Sequence, residues 1–285
     1  MSDAMPWLTL VLVLTAAGIW AVMLHLRGKT KQAIQHAELE LESTSDVAQE
    51  PVDFAELAAL PEIVQHYFRH VLVDGQRRIR LTRLLQRGTL RTSTRNPRWL
   101  TFDAEQVIAP ATRGFLWIAR VRMLPWISLQ ICDRFIAGRG IGELRMFSAV
   151  RIASDHDHPE LDEAQLHRYL AEAVWSPTAL LPTSGVRWTA LDDESALASI
   201  TVQGIHVSLE FRFNARNEIC SVHCPGRWMR TRSGYNKVPW QGRFADYVQS
   251  NGMRVPLAGE VAWLEDSDWQ SVWKGRIEEI RHELA

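Results

Sequence analysis

The sequence predicts a mainly β protein of the α+β class: a large antiparallel curved sheet or open barrel with one or two packed helices, preceded by one transmembrane helix. Three observations predict it. A charge-free apolar run, Met5–Leu26, stands near the N-terminus; apolar residues recur with a period of two from about Ile79 onward; and only two short stretches of that later sequence and its approach carry a helical period.

The apolar run comes first. Its 22 residues contain no Asp, Glu, Lys or Arg, and as a helix they extend about 33 Å, enough to cross the hydrocarbon core. A cleaved signal peptide would carry a basic leader and a shorter apolar run, whereas Met1 to Ala4 hold Asp3 and no base. The expectation is therefore a single-pass anchor over residues 1–31, in the inner (cytoplasmic) membrane. Arg27, Lys29 and Lys31 follow the run directly, which places the body of the protein on the cytoplasmic side, with a periplasmic body as the alternative.

Residues 32–58 read as a polar, acidic linker. Gln32 to Glu42 can extend as a polar helix, and Ser43-Thr44-Ser45-Asp46 breaks it. A second helix opens at Leu60-Pro61-Glu62, with proline in the first turn and an acid near the positive end of the dipole. Ile63, Val64, Tyr67, Phe68, Val71 and Leu72 make its apolar face; Glu62, His66 and His70 stand opposite, as solvent-facing residues or, less simply, a ligand stack.

The remaining chain, within a domain spanning 59–285, alternates. Phe115, Trp117, Ala119 and Val121 alternate with Leu116, Ile118, Arg120 and Arg122; Ile127, Leu129, Ile131, Asp133 and Phe135 form another row. Val207, Leu209, Phe211 and Phe213 alternate with His206, Ser208, Glu210 and Arg212, and Val255, Leu257, Gly259, Val261 and Trp263 repeat the pattern. About eleven strands are expected, joined by turns such as Asn251-Gly252, a strong hairpin signal. One helix, about Asp162 to Trp175, interrupts them with Leu166, Tyr169, Leu170, Ala173 and Val174 as its buried stripe. A sheet this long curls or closes, because each strand pair adds twist and open edges aggregate; two packed sheets are the alternative.

Chemistry leaves few marks. A net charge of −1 argues against a dedicated nucleic-acid binder. No nucleophile elbow, phosphate loop or His-Glu-x-x-His helix occurs, and Gly138-Arg-Gly140-Ile-Gly142 lies between strand-like runs as a turn. Cys220 and Cys224 flank His223, but four residues of strand set the two cysteines about 13 Å apart, too far for one disulfide and awkward for one metal ion. Ser154-Asp155-His156-Asp157-His158 reads as an exposed polar loop. Neither cofactor nor metal is expected, and no residue is assigned a catalytic role. Asp133, Glu210 and Glu260 are the acids from which an acid-base pair would have to be drawn.

Several segments are familiar together: Leu60-Pro-Glu-Ile-Val-Gln-His-Tyr-Phe-Arg-His, Ala171-Glu-Ala-Val-Trp-Ser-Pro-Thr-Ala-Leu-Leu-Pro, Val207-Ser-Leu-Glu-Phe-Arg-Phe, and Pro239-Trp-Gln-Gly-Arg-Phe-Ala-Asp-Tyr followed by Gly252-Met-Arg-Val-Pro. They resemble an uncharacterised bacterial domain-of-unknown-function family over roughly residues 60–284, which brings no established activity. The layout of strands and helices is also similar to lipoprotein-carrier (Lol-type) half-barrels, a likeness that implies a curved sheet able to hold acyl chains.

Twelve tryptophans, ten beyond the apolar run, are large anchors for a β core or the walls of an aromatic cavity. The functional expectation is a membrane-anchored binding module that holds an apolar or lipid-like ligand in the curved sheet. Trp117, Phe211 and Trp263, from the apolar rows, with Trp175 and Trp240, would line the site, and Arg122 or Arg243 would meet a headgroup. Eight arginines between Arg77 and Arg98, with no acid among them, could also meet anionic headgroups. The alternatives are a structural or protein-interaction domain with a solid core and, less favoured, an enzyme.

Overall fold

The computed structural model describes residues 4–43 and 50–285. A single helix, α1 (Ala4–Ser43), carries the apolar run and the polar stretch after it without a break. It is apolar and long enough to cross a membrane. The 3₁₀ turn Phe54–Leu57 and helix α2 (Glu62–Val71) follow. Six strands come next: β1 (Ile79–Leu90), β2 (Leu100–Ala109), β3 (Gly114–Leu124), β4 (Ile127–Ile136), β5 (Arg139–Met146) and β6 (Val150–Asp155). Helix α3 (Pro159–Glu172) runs into three 3₁₀ turns ending at Ser184. Seven strands complete the chain: β7 (Arg187–Asp192), β8 (Ser195–Val202), β9 (Ile205–Phe213), β10 (Ile219–Thr231), β11 (Gly234–Ser250), β12 (Met253–Glu265) and β13 (Asp268–Leu284).

All thirteen strands form one antiparallel sheet in the order β6-β5-β4-β3-β2-β1-β13-β12-β11-β10-β9-β8-β7. Every connection is therefore a hairpin except the crossover through α3 and the closure of β1 on β13. The expected hairpin at Asn251-Gly252 is present, with φ of +48° and +80°, the left-handed pair that a tight two-residue turn demands. The sheet curls until its β6 edge reaches the β10–β11 hairpin. There Asp155 accepts hydrogen bonds from the Tyr235 hydroxyl and from Arg230 at 3.2 Å.

The concave face carries the core. Phe102, Phe115, Trp117, Ala119, Phe135, Leu209, Phe211 and Val222 all point into it, as their alternation requires. Helices α2 and α3 fill it from the open side. Helix α3 is buried nearly all round, Gln165 and His167 included, so it behaves as an enclosed helix rather than as a cap with one wet face. Val52 and Leu57 belong to the same core, which pins the acidic stretch before α2 to the domain.

The convex face holds a smaller cluster. Ala37 and Leu41 of α1 pack on Leu81, Val107, Ala109, Leu116 and Cys132. Arg83 reaches across to Glu38 and Glu42 of α1 and to Glu283 of β13. The arginine row is largely engaged in this way: Arg77 donates to the carbonyl of Ala285, Arg78 pairs with Glu56 at 2.8 Å, Arg80 with Glu283, and Arg87 with Asp103 at 3.1 Å. Five of the eight guanidinium groups thus tie the fold together, and these contacts give no support to a headgroup role for them.

Candidate functional site

Between the sheet and α3 the concave face is hollow. A cavity of about 580 Å³ lies among β1, β3–β6, β10–β13 and α3, within the size range of small-molecule sites. Its walls are mostly apolar: Trp117, Val121, Leu129, Ile131, Leu144, Trp175, Trp240, Phe244, Val261 and Trp273. Exposed residues among the liners, Thr92, Ala153, Ser154 and Arg230, mark the mouth, between the tips of β1 and β10 and the free edge of β6.

Small residues create the space. Trp273 lies across the sheet, stacked on Phe102 at 5.7 Å between ring centres. A Cβ on Gly275 would fall 2.2 Å from that indole, and one on Gly259 3.2 Å from it. Any side chain at Gly275 would lift the ring into the cavity. Gly142 on β5 adds a second bare patch beside Asp133.

The polar groups converge on α3. Arg168 donates to Asp133 of β4 and to Glu172 one helical turn on, both at 2.8 Å, and its guanidinium lies 4.9 Å and 4.8 Å from the rings of Phe115 and Trp117. Glu172 also accepts from Gln106, which accepts from Gln86, and the Trp117 indole N–H donates to Gln86 at 2.8 Å. Burial pushes the Asp133 carboxyl up, against the pull of Arg168. His167, on the side of α3 facing β10, approaches the Cys224 thiol at 3.5 Å; burial and the charge of Arg227 hold it down at about 4.

Arg227 stands apart. Its guanidinium is sandwiched near Trp240 and Trp263, at 5.0 Å and 5.2 Å, and donates twice to the carbonyl of Ala164. Among the described residues no carboxylate lies within ion-pair distance of it. Burial, then the neighbouring Arg168, lowers it to about 10, so it keeps its charge at neutral pH. A bulge puts it there. The pairing of β10 with β11 shifts register between Cys224 and Arg227, across Pro225-Gly226, and one extra residue turns the following side chains to the opposite face.

The expected site residues divide accordingly. Trp117, Trp175 and Trp240 line the cavity; Trp175 donates to the carbonyl of Pro256 at 3.0 Å and meets Phe244 edge-on. Trp263 backs Arg227 without lining the space. Phe211 is on the concave face but packs edge-on against Trp188 at 5.2 Å, in a part of the core that side chains fill. Arg122 and Arg243 belong to the outward rows: Arg122 is exposed and paired with Asp103, and Arg243 is exposed opposite Glu260. Neither reaches the cavity.

Of the three acids singled out for chemistry, Asp133 and Glu260 border the cavity but each is paired with its own base, and Glu210 lies outside it. Asp133 points inward to Arg168, Glu210 faces outward with His223 at 3.8 Å, and Glu260 pairs with Lys274 at 3.3 Å. The residues that sequence reasoning missed are Arg168, Glu172, Arg227, Phe244 and Trp273. The Arg168/Glu172 spacing of four and the Pro225-Gly226 interruption were the available signals.

Two solved structures are similar at low identity. A LolA superfamily protein from Nitrosomonas europaea is 9% identical, covering 78% of this chain and 92% of its own, with a TM-score of 0.36. A beta-barrel-like protein of a domain of unknown function, DUF1849, from Brucella abortus is 11% identical, covering 73% and 100%, with a TM-score of 0.27. No curated protein matches the sequence. The model of a family of unknown function, DUF6544, matches residues 50–275, and the chain belongs to that family.

Proposed function

We propose that the protein is a single-pass membrane-anchored binding module whose half-barrel takes an apolar or amphipathic, lipid-like ligand. One observation carries the reading: an open, aromatic-walled cavity of about 580 Å³ remains where a solid core would otherwise be. An apolar chain laid along Trp117, Trp240, Val261 and Trp273 removes its surface from water at roughly 25 cal/mol per Å². The polar end meets α3, where Arg168 already has two carboxylates and Arg227 has none. A carboxylate or phosphate would supply the missing counter-charge to Arg227, in a low-dielectric site where such a pair forms charge-assisted hydrogen bonds. In this reading residues 5–26 are the anchor, and Arg27, Lys29 and Lys31, directly after the run, support a domain on the cytoplasmic side of the inner membrane.

Gentle extraction of the full-length chain, followed by mass spectrometry of the bound organic fraction, tests this. The expected result is one acidic amphiphile per chain that survives gel filtration. Protein that is repeatedly free of any amphiphile, and that also takes up none from added lipid, would refute the reading.

A further inference from the structure

Helix α1 fixes how the cavity sits with respect to the bilayer. One stripe of the helix touches the domain: Met23, Leu26, Thr30, Ile34, Ala37 and Leu41, at spacings of three and four. At its lower end Leu41 lies over Gly114, at the β2–β3 turn, so closely that a Cβ there would collide with it. At its upper end Arg27 donates to the carbonyl of Phe147, in the β5–β6 hairpin, at 3.0 Å. These two contacts lie at opposite ends of the strands. The helix therefore climbs the convex face and leaves the domain at the end where the cavity opens.

The hairpins at that end are not dressed for water. Phe147 donates its N–H to the carbonyl of Ser128 at 3.0 Å, so the β5–β6 hairpin is tied to the β3–β4 tip, which carries Leu124 and Trp126. Trp126 is 83% exposed, and Leu124 with Val150 and Ile152 of β6 is exposed beside it. Isolated exposed apolar side chains are ordinary; this group shares one edge with the cavity mouth and with the exit of an apolar helix. Met23 and Leu26 are already half covered by the domain. Residues 9–22 are exposed, and the charge-free run before Met23, residues 5–22, is about 27 Å long as a helix, still close to the hydrocarbon thickness. The level of Arg27 and Phe147 is then the headgroup zone, where tryptophan is favoured.

Resting on the reading of α1 as a span and of the cavity as an amphiphile site, we propose that the mouth faces the bilayer in which the chain is anchored and that the β3–β4 tip, with Leu124 and Trp126, docks in its interface. The ligand then passes between that leaflet and the half-barrel without crossing bulk water. The two readings are separable. A label attached at Leu124→Cys, in a Cys220→Ser background, reports the tip in full-length protein reconstituted into phosphatidylethanolamine and phosphatidylglycerol vesicles; Ala111→Cys, in the β2–β3 turn, reports the far end. Severalfold quenching at position 124 by a lipid-borne quencher, with iodide acting only at 111, is the expected pattern. Iodide quenching at both positions, lipid quenching at both, or protection of position 124 from both quenchers (a protein partner covering the tip) would each overturn the docking. Lipid extracted from the same samples scores the cavity independently: bound amphiphile with a wet tip defeats the docking alone, and a lipid-quenched tip without amphiphile defeats the cavity reading alone. Trp126→Ser should slow lipid entry from vesicles severalfold while the melting temperature stays unchanged.

Discussion

The concave face has two halves that are equally aromatic and differently used. Beneath α2, Tyr67, Phe68, Trp188, Phe211 and Phe213 interlock at centroid distances of 5.2–6.4 Å and leave no room. Beside α3, Trp117, Trp175, Trp240 and Trp273 stand around open space. Aromatic content does not separate a solid core from a receptor. What separates them is the opposing surface: the solid half meets the apolar stripe of α2, whereas the hollow half meets Gly142, Gly259 and Gly275 and the guanidinium groups of Arg168 and Arg227. Tightly packed rings stabilise; rings laid flat on glycine make a wall.

The sharpest way to break this contrast is to change volume in each half. Phe211→Ala should cost about 3–5 kcal/mol, and lower the melting temperature by roughly 10 °C, because the packed half cannot collapse around the gap. Leu144→Trp, which projects into the cavity, should shift stability by less than about 1 kcal/mol and should exclude ligand, since the added ring fills existing space. Thermal melts of the two variants decide it; equal destabilisation would erase the distinction.

The seam between the halves should respond to acid. His167 is neutral in the fold, held at about 4 against about 6.5 in the unfolded chain. Unfolding therefore takes up a proton between those values, and stability is lost as pH falls from 6.5 towards 4 and levels off below. The loss attributable to this residue is on the order of 3 kcal/mol. Denaturant titrations at pH 7 and pH 4 should show that much less acid sensitivity in His167→Gln than in the parent chain.

Within the hollow half, Arg227→Gln should weaken binding of an acidic amphiphile by about ten- to a hundredfold, the range of a charge-assisted hydrogen bond. Binding of an uncharged analogue should change little, which isothermal titration would read directly. Smallest of all, Arg122→Ala and Arg243→Ala should each alter stability by no more than about 0.5 kcal/mol, as exposed charges do, and leave ligand affinity unchanged.

Much of the fold was legible because it rests on periodicity. The charge-free run of α1, the face of α2 and the alternating rows of β3, β4, β9 and β12 are properties of neighbouring residues, and the curled sheet follows from their number. Trp117 was legible as a member of an inward row, whereas Trp175 and Trp240 were named for the site without a row to place them. Arg122 alternates with Val121 and Met123, so the pleat itself points it outward, away from any headgroup in the cavity. Phe211 is inward yet in the filled part of the core, where Trp188 covers it, a contact between residues far apart in sequence. Arg227 needed the bulge at Pro225-Gly226 to turn in. Arg168 was hidden because α3 is enclosed on nearly every side, which leaves no wet face to give its polar residues their usual meaning.

Photo-crosslinking with a diazirine-bearing fatty acid, followed by peptide mapping, puts the claim of a hollow half to the most direct test. Adducts should fall on β3, β11 and β13 around Trp117, Trp240 and Trp273, and disappear in Leu144→Trp. Adducts confined to α1, spread equally onto β8 and β9 around Phe211, or unaffected by filling the cavity would contradict the account.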